Sequence, residues 1–147
     1  MASLRGRCHC GNLELAFESP LPIEQLPVRS CSCSFCFGHG ARSISDPGGT
    51  IEIVVREPEQ PDRYRFGLKT ADFLVCKICG VYVAALTEER SKFYAVANAN
   101  AFALEGASFS PAVSTSFEGE TEPVRRSRRS ATWTPAALVL TRGRGSA

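Results

Sequence analysis

The residue types most able to do chemistry in this 147-residue chain are its seven cysteines, and they fall into three groups. Cys8-His9-Cys10-Gly11 is CxC followed by glycine, Cys31-Ser32-Cys33-Ser34-Phe35-Cys36 is CxCxxC, and Cys76-Lys77-Ile78-Cys79-Gly80 is CxxC followed by glycine. Side chains two apart on an extended segment share a face, so the two sulfurs of CxC can converge. In CxxC the chain turns back, and a following glycine accepts the left-handed conformation such a turn often needs. Tetrahedral zinc takes four ligands, with sulfur at about 2.3 Å. The CxC and CxxC pairs together meet that demand, so Cys8, Cys10, Cys76 and Cys79 are expected to close a structural site. Joining groups so far apart in sequence pins the first strand to a distant hairpin, where closing a long loop stabilises most.

The middle group offers Cys31, Cys33 and Cys36 and no obvious fourth ligand. Three protein ligands and one open position is the layout of catalytic zinc. His39, three residues after Cys36, offers a fourth ligand that would make this site structural too. His9 lies between two ligands, points to the opposite face and is expected at the surface. A set of redox-active or merely buried thiols is the competing reading of the triplet. Disulfides are disfavoured twice. An odd count leaves a thiol over, and residues 1–7 carry no apolar stretch of a secretory leader, so a reducing cytoplasm is expected.

The elements that must position these groups read as β. Leu13, Leu15 and Phe17 alternate with polar neighbours out of a Gly11-Asn12 turn. Thr50–Val55 is β-branched, Arg63–Phe66 alternates, and Phe93–Ala97 is a further strand. Phe73–Val75 and Val81–Leu86 read as two arms of a hairpin with the CxxC turn at its tip. Glu57–Asp62 reads as a polar turn. Helical signals are short, near residues 34–40 and 99–104. Strands at about ten-residue spacing argue for an all-β fold. One zinc-binding β domain is expected over residues 1–117. Residues 118–147 are expected to form an arginine-rich C-terminal arm, solvated or packed in part, with Trp133 and Leu138-Val139-Leu140 able to anchor it to the sheet.

Apolar residues make up 44% of the chain and charged residues 22%, with 17 basic against 15 acidic side chains and a formal charge of +2. That balance selects no polyanionic partner, and Arg125–Arg129 is the one basic cluster that could bind nucleic acid. Nucleic acid is therefore not the expected partner. No stretch reaches the ~20 apolar residues that span a bilayer.

Taken in order, Gly6-Arg7-Cys8-His9-Cys10-Gly11, the CxCxxC group with Gly40-Ala41, Tyr64-Arg65-Phe66-Gly67 and Phe73–Val81 resemble the glutathione-dependent formaldehyde-activating enzyme / centromere protein V family. The resemblance runs from about Gly6 to Asn100 and is weaker around the arginines and Trp133. It implies coiled β-sheets stapled by zinc, similar to the small zinc-binding Rab exchange-factor fold. It also implies a structural zinc on Cys8, Cys10, Cys76 and Cys79 and a catalytic zinc on Cys31, Cys33 and Cys36. Ser32 stands where the family commonly has asparagine, and Asn98 and Asn100 fall in a stretch where the family has a recurrent one. A strand-end turn is the alternative role for that pair.

The implied activity is that of a carbon–sulfur lyase acting on a thiol–aldehyde adduct such as S-hydroxymethylglutathione, or in reverse joining glutathione to formaldehyde. A thiol coordinated to zinc is deprotonated, and the thiolate is the nucleophile. Glutathione carries two carboxylates, for which Arg42, Arg63 and Arg65 are candidate partners. Three alternatives remain at this level: a non-catalytic zinc-stapled module that docks a protein, a nucleic-acid or cytoskeletal binder using Arg125–Arg129, and a thiol redox protein.

Overall fold

A computed structural model describes residues 1–57, 62–104 and 106–141. Most of the expected polar turn, residues 58–61, lies outside the described residues. The strands in chain order are β1 (Ala2–Arg7), β2 (Leu13–Ser19), β3 (Val28–Cys31), β4 (Ser43–Ile44), β5 (Thr50–Val55), β6 (Asp62–Tyr64), β7 (Asp72–Val75), β8 (Tyr82–Glu89), β9 (Lys92–Asn98), β10 (Val113–Thr115) and β11 (Thr134–Leu140). Two α-helices, α1 (Ser34–His39) and α2 (Glu122–Thr132), and short 3-10 turns at Ile23–Gln25 and Ala99–Ala101 join them. The fold is all-β in character, as the sequence pattern leads one to expect.

Period-two alternation decides which face is buried. Leu13, Leu15 and Phe17 of β2 and Ile51, Ile53 and Val55 of β5 are buried, and the two strands pair antiparallel with Leu15 opposite Ile53. A one-residue slip would turn all six outward, so burial fixes the register. The main path of the sheet runs β1-β2-β5-β11-β9-β4-β3-β10. Strand β9 is its branch point. Along one edge it pairs with β8, and along the other with β11 at Phe93–Ala95 and β4 at Ala97–Asn98. Strand β8 carries β7 and then β6, so the hairpin bearing the CxxC turn forms as read from the sequence. Tyr82–Thr87 of β8 are all buried, as expected of a strand covered on both faces.

The C-terminal segment, expected as an arm solvated or packed in part, is described as far as Thr141, and Leu138-Val139-Leu140 lie in a strand of the sheet. Strand β11 is an inner strand, parallel to β5 and antiparallel to β9. Helix α2 before it starts at Thr121, whose hydroxyl accepts from Val124 N–H at 3.4 Å, with Pro123 in the first turn. The helix lacks an apolar stripe because its inward positions are arginines: Arg125, Arg128 and Arg129 at i, i+3 and i+4 are part-buried or buried. Trp133 then packs with Ala71, Ala85 and Val96 in a cluster of its own. Among the described residues no helix is long and apolar enough to cross a membrane.

Candidate metal centres

The CxC and CxxC turns repeat one hydrogen-bond scheme. Cys8 N–H donates to Leu13 C=O at 3.0 Å, and Cys76 N–H donates to Val81 C=O at 3.0 Å, each reaching five residues on. Within each loop the glycine N–H returns to the first cysteine, Gly11 to Cys8 C=O at 3.2 Å and Gly80 to Cys76 C=O at 2.7 Å. Both glycines have positive φ, +88° and +82°, which a side chain would strain. The turns bring the four sulfurs of Cys8, Cys10, Cys76 and Cys79 within 4.8 Å of one another.

Sulfurs at about 2.3 Å from a tetrahedral ion stand roughly 3.8 Å apart. Cys8 Sγ lies 3.7 Å from Cys10 Sγ, which lies 3.6 Å from Cys76 Sγ, so the donor set fits such an ion. Cys8 and Cys76 are buried within the main core, and Cys10 is exposed. Burial pushes the Cys8 and Cys76 thiols up. At Cys79 burial is outweighed by the backbone N–H groups of Cys10 and Val81, which bring the thiol down to about 6. His9 is exposed and outside the cluster, as expected.

The second group is built at a strand end and a helix start. Cys31 ends β3, where Ser32 N–H donates to Thr115 C=O of β10 at 2.9 Å. Cys33 caps α1, its sulfur accepting from Cys36 N–H at 3.4 Å, and Cys33 N–H donates to Cys31 Sγ at 3.5 Å. Gly40 ends the helix with φ +59°. The Cys31, Cys33 and Cys36 sulfurs lie within 4.8 Å of one another, again a separation that fits a shared ion. A hydrogen bond from Cys36, then those from Cys33 and last the charge of Arg128, hold the Cys31 thiol down to about 5, while the bond with Cys31 and burial push Cys36 up.

His39 does not complete this set. It lies outside the sulfur cluster, and its ring packs on Phe35 at a centroid distance of 4.5 Å and on Tyr82 at 5.6 Å. Asn98 and Asn100 serve as a strand-end clamp beside it. Asn98 Nδ2 donates to Tyr82 C=O at 2.9 Å, and Asn100 Nδ2 donates to Gly40 C=O at 2.9 Å. The clamp ties the end of α1 to β8 and β9.

The triplet faces a cavity. A pocket of about 420 Å³ is lined by Cys31, Cys33 and Cys36, and none of the other four cysteines reaches it. That volume lies within the roughly 300–1,000 Å³ typical of small-ligand sites. Phe66, Phe73, Tyr82 and Trp133 form its apolar wall. Its basic lining is Arg29, Arg125, Arg128 and Arg129. The arginines proposed from sequence are elsewhere. Arg42 bonds Asn100 Oδ1 at 2.8 Å and lies over Phe109, and Arg63 and Arg65 both pair with Asp72. The i, i+3, i+4 spacing of arginines after the Thr121-Glu122-Pro123 start was the sequence signal for the three cavity-lining arginines of α2.

No protein-family model matches the chain, and no curated protein does. The crystal structure of a Rhodobacter sphaeroides protein resembles it with a TM-score of 0.51 and 29% identity, over 71% of this chain and 91% of that one. The likeness supports the β architecture.

Proposed function

We propose that the chain holds two zinc ions and acts as a carbon–sulfur lyase on a small thiol–aldehyde adduct such as S-hydroxymethylglutathione. One observation carries the reading: of two thiol clusters with metal-compatible spacing, one is complete with four sulfurs and the other has three sulfurs on the wall of a ligand-sized cavity. Zinc on Cys31, Cys33 and Cys36 would supply Lewis-acid chemistry, favouring the deprotonated form of a substrate thiol.

The chain's own residues do the rest. Three sulfurs fixed by β3 and α1 leave the cavity side of the cluster for a substrate. The walls of Phe66, Phe73 and Trp133 remove water from around the adduct, which strengthens electrostatic interactions there. Arg128 faces the cluster closely enough to favour the Cys31 thiolate, and so offsets the negative charge of several sulfurs. The reaction breaks the carbon–sulfur bond of RS–CH2–OH, the carbon leaves as formaldehyde, and the hydroxyl proton passes through water to the thiol. No side chain is required as general base, and none is assigned.

The test is zinc per chain together with NMR exchange rates for glutathione and formaldehyde. Wild type should hold two zinc ions and accelerate exchange above the uncatalysed rate. Cys33→Ser should hold one and fall to that background. Acceleration that survives in the serine variant would remove the reading.

A second reading has its own observation. Phe37 on α1 is 81% exposed and Ile78 within the CxxC turn 59% exposed, so each cysteine group carries an apolar side chain in solvent. A zinc-stapled module that docks a protein would use such residues. Two bound zinc ions with no acceleration would favour it.

A further inference from the structure

The cluster Arg125-Arg126-Ser127-Arg128-Arg129 divides sharply by partner. Glu120 takes Arg125 Nε at 3.1 Å and Arg128 at 2.7 and 3.0 Å, and Arg126 reaches both Glu89 and Glu122. Arg129 has no carboxylate among the described residues, although it is 8% exposed. Its Nη1 donates to Thr70 Oγ1 at 2.6 Å and its guanidinium lies 4.7 Å from the Trp133 ring centroid. Among the described residues its Nε is buried without a hydrogen-bond partner, and the bond to Thr70 through Nη1 leaves Nη2 unused. The free Nε–Nη2 edge is the one whose two parallel N–H groups match a carboxylate.

A buried charge without a counter-ion is costly, and proteins rarely keep one without a use. Two neighbours repeat the pattern. Arg29, on the cavity wall, donates to Ser45 Oγ at 2.9 Å and has no acidic partner among the described residues. Thr115 Oγ1, on the same wall, is buried and unpartnered. The acidic residue lining this cavity, Glu118, is exposed.

Resting on the function proposed above, we infer that Arg129, with Arg29 and Thr115, forms a carboxylate subsite that selects thiol adducts carrying an acid group. The cysteine triplet would take the sulfur end of the substrate, and the free guanidinium edge would take a carboxylate in the same cavity. Burial, then Arg128 and Arg125, hold the Arg129 guanidinium down to about 10, so it is still cationic at neutral pH. An anion seated there satisfies the orphaned Nε and supplies the missing counter-charge.

The experiment uses full-length, zinc-loaded protein and calorimetric titration with S-methylglutathione and with its dimethyl ester. The acid should bind at least tenfold tighter than the ester. R129K, which keeps charge but loses the planar edge, and R129M, which loses both, should each weaken the acid at least tenfold with ester binding and zinc content unchanged. Because no carboxylate among the described residues pairs directly with this charge, R129M should melt no lower than wild type, whereas a structural arginine would lower the melt. Equal binding of acid and ester, or acid binding within twofold of wild type in R129K, overturns the inference. If R129M does not fold, those two comparisons decide.

The two readings fail separately. Acid-selective binding that needs Arg129, without thiol–aldehyde turnover, leaves the subsite and removes the lyase. Turnover of a cysteamine adduct as efficient as that of glutathione, unchanged in R129K, does the reverse.

Discussion

The closed and open cysteine groups use the same atom for opposite ends. In the closed group, two turns with matched backbone bonds converge from residues 8 and 76, and their buried members sit inside the main core. Four sulfurs would satisfy a tetrahedral ion with no position left open, and such an ion would link β1–β2 to the β7–β8 hairpin. In the open group, all three sulfurs come from six consecutive residues, and the ligand set spans no long loop. It contributes little to chain closure and is left free to face a cavity. Under the function proposed above, ligand separation along the chain, more than ligand number, would distinguish a staple from a reactive site.

Breaking one sulfur in each group tests that distinction and gives the largest effect. Structural zinc in small domains is worth roughly 10–16 kcal/mol, comparable with the whole stability of about 5–15 kcal/mol of a domain. Cys79→Ser should therefore abolish a cooperative thermal transition or drive aggregation. Cys33→Ser should keep the β-rich circular dichroism spectrum and lose one zinc. Chelation should follow the same order, one ion leaving a folded protein and the second leaving only as the melt collapses. Matching losses of stability from the two substitutions would erase the division.

Trp133→Ala acts on the open region alone. Trp133 is 5% exposed, lines the cavity and underlies Arg129. Truncating a buried tryptophan costs about 3–5 kcal/mol, a fall of roughly 6–20 °C at this chain length. The zinc of the four-sulfur group should remain, because Trp133 belongs to a separate apolar cluster from Cys8 and Cys76. Loss of both ions in this variant would show that the two regions are one cooperative unit.

The closed site was more legible in the sequence than the open one, for a physical reason. Ligand sulfurs in CxCG and CxxCG are placed by local turns, and a strand of period two reveals its buried face in any short window. The cavity instead depends on α2 and β11, where the signal was masked. Leu138, Val139 and Leu140 are apolar, yet the helix before them has charged residues on its inward face, so no apolar period marks it. Read for arginine instead of leucine, positions 125, 128 and 129 show the helical spacing. Pairing of β11 between β5 and β9 is a long-range choice that no window contains. The same distance hid the Asn100 partner of Arg42, whereas Asp72, which takes Arg63 and Arg65, lies within nine residues and is brought to them by the β6–β7 hairpin.

The smallest expected effect separates aiming from folding within the open region. Glu120 holds Arg125 and Arg128 in place, and its carboxyl is kept below the ordinary carboxylate range by the bond from Arg128 and then that from Arg125. A folded-state value below the unfolded one means the contribution is present above the unfolded pKa of about 4.3 and fades as pH falls through the folded value. Near a surface such a network is worth at most about 1 kcal/mol. Glu120→Gln should therefore lower the melt by about 2–4 °C at pH 7, with the gap to wild type closing toward pH 3. A gap that persists in acid would assign the residue to packing. If the variant at pH 7 also changes the affinity for S-methylglutathione while leaving zinc content intact, Glu120 acts by pointing two arginines along the cavity wall, and the open region carries its own electrostatic frame apart from the staple.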